Sequence, residues 1–98
     1  MQKKVSKRPA NLIPMLRLAT RPGARLMLVD GTAFILNGKE HTHMREATYS
    51  SLLEEGWITS PRHIAPGIEE SSVTRQGYAQ IVAIDAQKRG YTQLMFAL

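Results

Sequence analysis

The chain has 98 residues, no cysteine and a formal net charge of +5 with a pI near 10.0. That length suits one small domain. The missing thiols exclude a disulfide framework, a thiolate zinc finger and a cysteine nucleophile, and no apolar run approaches the roughly 18 residues of a membrane span.

In chain order, Lys3, Lys4, Lys7 and Arg8 come first, in a start that leads into no signal-peptide core. Residues 1–9 are therefore expected to be a disordered basic arm, and residues 10–98 a single domain in a cytoplasmic protein. Asn11 is expected to cap a first helix, with Leu12, Met15, Leu16 and Ala19 on one apolar stripe and Arg21-Pro22-Gly23 stopping it. Two apolar runs, 25–29 and 32–37, flank Asp30-Gly31, the pairing expected at a tight hairpin turn. Both runs are nearly continuous in apolar residues. A helix is expected over one face of the hairpin, with a partner subunit or a binding surface on the other.

Asn37-Gly38 ends the second strand, and Thr42 then fits as the N-cap of a helix from His43 to Glu55, with Met44, Thr48 and Leu52 along its apolar line. Gly56 suits the left-handed position that ends it. Trp57-Ile58-Thr59 reads as a short strand, 60–70 as a loop, and Ser71-Ser72-Val73 as a returning strand. Thr74 is expected to cap a third helix running from Arg75 to about Arg89, with Tyr78, Ile81, Val82 and Ala86 buried and Gly90 ending it. The tail 91–98 reads as a final strand or a docking segment. Trp57 and Phe34 are expected in the core.

Charge is uneven along this plan. The first nine residues carry +4 and the rest only +1, with residues 46–74 at −4. The arm is thus the main electrostatic element for phosphate.

The stretch Leu52-Leu53-Glu54-Glu55-Gly56-Trp57-Ile58, followed by a loop and Val73-Thr74-Arg75-Gln76-Gly77-Tyr78, resembles the second half of a winged helix-turn-helix domain. One helix and a hairpin precede it instead of two helices, an order similar to the small bacterial YjhX-like proteins. The resemblance implies an α+β fold with about three helices, an N-terminal β-hairpin and a β-wing. It also implies a small transcriptional regulator of bacterial, phage or plasmid origin, acting as a homodimer on double-stranded DNA. The helix after Thr42 would then enter the major groove. His43, Arg45, Tyr49 and Ser50 lie off its apolar line, Arg45 suits a bidentate contact with guanine, and Thr42 suits a phosphate. Arg62 would stand on the wing, where Glu69 and Glu70 repel a phosphate backbone unless they pair with Arg62.

That acidic wing motivates an alternative, a winged-helix scaffold used for protein contact, such as a phage- or plasmid-encoded inhibitor docking on a host complex. RNA binding through the arm is a third option, without an aromatic platform in the sequence to support it. His41-x-His43 with Glu40 has ligand chemistry, but it straddles the expected loop-to-helix junction and lacks a third strong ligand, so no metal and no cofactor is expected. No nucleophile elbow, Gly-rich phosphate loop or facing acid pair is present, and no enzymatic activity is expected.

Overall fold

The computed structural model describes residues 9–97, with side-chain environments through residue 87. Three helices, α1 (Leu12–Ala19), α2 (Glu46–Glu54) and α3 (Arg75–Ala97), accompany five strands. These are β1 (Arg25–Val29), β2 (Thr32–Asn37), β3 (Glu40–Met44), β4 (Arg62–Ala65) and β5 (Ile68–Ser71). They form one antiparallel sheet in the order β3-β2-β1-β5-β4, an α+β arrangement.

The first hairpin forms where its turn residues predict it. Asp30 and Gly31 take φ of 50° and 84°, and Val29 pairs with Thr32 directly across them. Alternation then sorts the side chains. Leu26 and Leu28 of β1, with Ala33 and Ile35 of β2, join the core with Leu12, Leu16 and Ala19 of α1 and Tyr49 and Leu52 of α2. Met27 and Phe34, paired across the ladder, lie on the opposite, open face with Leu36, outside the core cluster to which all three helices contribute; Met27 is buried there and Leu36 half-buried. Both hairpin strands read as continuous apolar runs because their second face is apolar too. Phe34 is accordingly half-buried on the open face and not in the core, whereas Trp57 is buried as expected.

Three expected elements differ. Residues 40–44 are strand β3, not loop and helix start: Gly38, with φ of 63°, turns the chain back so that Thr42 pairs with Ile35 and His43 with Phe34. Helix α2 therefore starts at Glu46 behind an extended Arg45, with no side-chain cap. Residues 60–70 are not a loop. They form the β4–β5 hairpin around Pro66-Gly67, and the returning strand is β5, paired to the centre of the sheet at β1. Ile58 and Val73 still meet in an isolated antiparallel bridge. Finally, α3 continues through Gly90 to Ala97, so the tail is neither strand nor separate segment. One helical glycine costs only about 1 kcal/mol, and no proline follows it.

Caps explain the remaining joints. Asn11 makes no capping bond; its Oδ1 accepts from Thr48 Oγ1 at 2.7 Å, tying the start of α1 to the first turn of α2. Gly56, φ 76°, ends α2, with Trp57 N–H returning to the Leu52 carbonyl at 3.1 Å. Thr74 Oγ1 accepts from Gly77 N–H at 3.1 Å and donates to the Gly56 carbonyl at 2.6 Å, so the cap of α3 is also a clasp on the end of α2. On α3 only Ile81 of the expected quartet is buried. Tyr78 is 49% exposed and Val82 61%, because α3 meets α1 along a narrow seam where Arg17 pairs with Asp85 at 3.0 Å. No described helix is long and apolar enough to cross a membrane.

Candidate nucleic-acid interface

Lys3, Lys4, Lys7 and Arg8 lie outside the described residues, but the root of the arm is described. Pro9, Ala10 and Asn11 line an open cleft of about 330 Å³ together with Arg45, Ala47 and Thr48. The Thr48–Asn11 hydrogen bond sits in its wall. Pro9, which follows the arm in sequence, therefore lies beside the N-terminal end of α2, where Arg45 is exposed. The backbone N–H groups of a first helical turn have no intrahelical acceptors, so this end is the electropositive one.

The other expected contacts divide. Thr42 and His43 stand on β3 rather than on a helix; Thr42 is half-buried and caps nothing. His43 is exposed on the open face, edge-on to Phe34 with ring centroids 5.6 Å apart. Tyr49 points the other way. It is buried, and its hydroxyl shares a 2.7 Å hydrogen bond with Ser71. Burial pushes the phenol above its ordinary range, the Ser71 bond partly opposes this, and the charge of Glu69 adds to it. Tyr49 is thus a core tether of α2 to β5 and not a groove-facing residue. Ser50 is exposed, on a ridge of α2 flanked by Glu46, Ala47 and Glu54. The outward side of α2 is acidic along its length and basic only at Arg45.

Arg62 is exposed on β4, the far edge of the sheet from His43. Four inter-strand steps separate those edges, roughly 19 Å, so Arg62 does not join the group around Arg45. It faces Glu70 in register, but the carboxylate of Glu70 is forked by Arg25, whose Nε and Nη2 both lie at 3.0 Å. That hydrogen-bonded pairing holds the Glu70 carboxyl below its ordinary range, with the charges of Arg25 and Arg62 acting in the same sense. The acidic side of the β4–β5 hairpin is thus partly neutralised by β1. Spacing gave no sign of this partner, because Arg25 lies 45 residues from Glu70 and meets it only through the β1–β5 ladder.

No protein-family model matches the chain, and neither does any curated protein or solved structure. The chemistry of the site therefore rests on its own residues: one exposed guanidinium at a helix start, two exposed imidazoles on the neighbouring strand, and four cations that the sequence places just before Pro9.

Proposed function

We propose that this chain is a small DNA-binding protein of winged-helix type, a transcriptional regulator that works as a homodimer. The arm bearing Lys3, Lys4, Lys7 and Arg8 lies along phosphates, and the start of α2, with Arg45 and Ser50, meets the duplex end-on. The observation that carries this reading is the cleft that Pro9 shares with Arg45, since Pro9 directly follows the most basic segment in sequence and lies at the electropositive end of α2. The acidic ridge Glu46–Ser50–Glu54 keeps the rest of α2 away from phosphate. The β4–β5 hairpin serves as the wing, and the open side of the sheet is where a second copy associates.

Fluorescence anisotropy of the full chain on duplex DNA tests the reading. Deleting residues 1–8 is expected to flatten the slope of log K against log salt by up to about 0.9 for each phosphate that the arm had neutralised. Arg45→Ala is expected to erode preference between duplexes by about 1–3 kcal/mol while changing non-specific binding less. Absence of duplex binding at low salt overturns the reading. It favours instead a protein-contact module that presents the acidic ridge of α2 to a basic surface on a host protein, the use its outward charge supports.

A further inference from the structure

The two histidines of β3 stand differently from what their spacing implied. His41 and His43 do not straddle a junction. They are alternate residues of one strand, both exposed, paired with Leu36 and Phe34 and hence on the same open face. Alternate residues of a strand lie about 6.6 Å apart, too far for one metal to be held rigidly without further ligands. Among the described residues no group of three or more His, Asp or Glu side chains is placed to hold a metal, so one copy supplies half a site.

Three observations point to where the other half comes from. β3 is an edge strand, so alternate backbone N–H and C=O groups along it face away from β2. Its five residues pair with β2 without a register shift, whereas the opposite edge, β4, is irregular between His63 and Ala65, a feature that blunts edges against further pairing. The segment Glu40-His41-Thr42-His43-Met44 is also symmetric about Thr42 in its histidines. Laid antiparallel on a second copy about that residue, His41 falls directly opposite the partner's His43, and His43 opposite the partner's His41. Cβ atoms of directly opposed residues lie about 4.5–5.5 Å apart. Four imidazoles then frame one patch of roughly 5 by 7 Å on the open face. A set of four neutral nitrogen donors suits a tetrahedral late first-row divalent cation such as zinc, with Zn–N of about 2.0–2.1 Å. Phe34, edge-on to His43, already limits the orientation of one ring in each copy.

We propose that His41 and His43 form half of a zinc-type metal site, which two copies of this chain complete by pairing their β3 edges. This rests on the homodimer proposed above, here joined at the β3 edge beside the open face, and not on DNA binding. The test is sedimentation velocity of the full chain in EDTA and in stoichiometric zinc chloride, with metal counted in the dimer fraction. Zinc is expected to shift the chain from monomer to dimer and to be retained at one ion per two chains. His41→Ala and His43→Ala are each expected to abolish that shift and weaken zinc uptake at least tenfold, with unchanged far-UV circular dichroism. His63→Ala, on the opposite edge, is expected to respond to zinc as the parent does. The proposal is overturned by no zinc uptake, by uptake of one ion per chain without dimerisation, or by a zinc response that survives in both β3 variants. A dimer equally strong in EDTA and in those variants also overturns it, while leaving self-association through another surface in place.

Discussion

Tyr49 and Ser71 show how a single hydroxyl pair decides what a residue is for. Off the apolar line of a predicted helix, a tyrosine looks like a contact residue. Here the helix begins three residues later than its sequence suggests, which changes the packing around that turn, and the phenol lies between α2 and β5. Tyr49→Phe removes one partner and leaves the buried Ser71 hydroxyl unsatisfied, an expected loss of about 1–2 kcal/mol in urea unfolding. Removing both hydroxyls, with Ser71→Ala added, is expected to recover part of that loss. The ion pair on the open face gives a second measurement. Glu70 is held below its ordinary carboxyl range by Arg25, so its folded form binds a proton less readily than its unfolded form. Its contribution is therefore complete above the unfolded value of about 4.5 and lost as pH falls through the folded value. Arg25→Gln is expected to make thermal stability fall less steeply below pH 4.5 than in the parent, read by melting temperature across a pH series.

At the scale of elements, the joint between α2 and α3 is tightly constrained. A Cβ at Gly77 would collide with the carbonyl oxygen of Trp57 and come within 2.7 Å of Val73 Cγ1. The first turn of α3 is thus packed directly on the backbone that ends α2. Gly77→Ala is expected to cost about 2 kcal/mol through forced displacement, and Thr74→Ala about 1 kcal/mol through removal of the cap, both read by chemical denaturation. This joint was legible in the sequence, because Gly56, Thr74 and Gly77 are residues whose local chemistry dictates their positions. So were α1 and the first hairpin, where Asp30-Gly31 specifies the turn. What stayed hidden depends on distant partners. Glu40-His41-Thr42-His43-Met44 has little intrinsic strand preference, and β2 makes it a strand; the signal that pointed there was Gly38-Lys39, a glycine-first two-residue hairpin turn in its own right. The short β4 and β5 owe their existence to β1, whose free edge β5 fills. Gly90 suggested an end for α3, yet a single glycine is a weak stop in an otherwise uninterrupted helix. Of the candidate site, the exposure of Arg45 was legible and its closeness to Pro9 was not, since that depends on the Thr48–Asn11 bond across 37 residues.

For the molecule as a whole, the net charge of +5 is a poor guide to its surface. Four of those charges belong to the arm, leaving a body of +1 with acidic stretches on α2 and β5. If the arm carries the phosphate contacts, its deletion removes most of the salt dependence of duplex binding while leaving a folded body, and that separation makes the anisotropy experiment decisive. A protein whose charge was spread over the body would lose slope only in small steps, residue by residue.

The strand order has one more consequence, in time rather than in space. β1 sits at the centre of the sheet, yet its second neighbour, β5, is encoded about 40 residues after it. On a ribosome adding about 5–20 residues each second, Leu26-Met27-Leu28-Val29 would wait roughly 2–8 s with one apolar edge unpaired. During that interval the three-stranded β1–β2–β3 piece is open along the strand that later becomes the middle of the sheet. The nascent chain is therefore most vulnerable to misassembly along a strand that the finished protein hides, and a nascent-chain chaperone would find its target there.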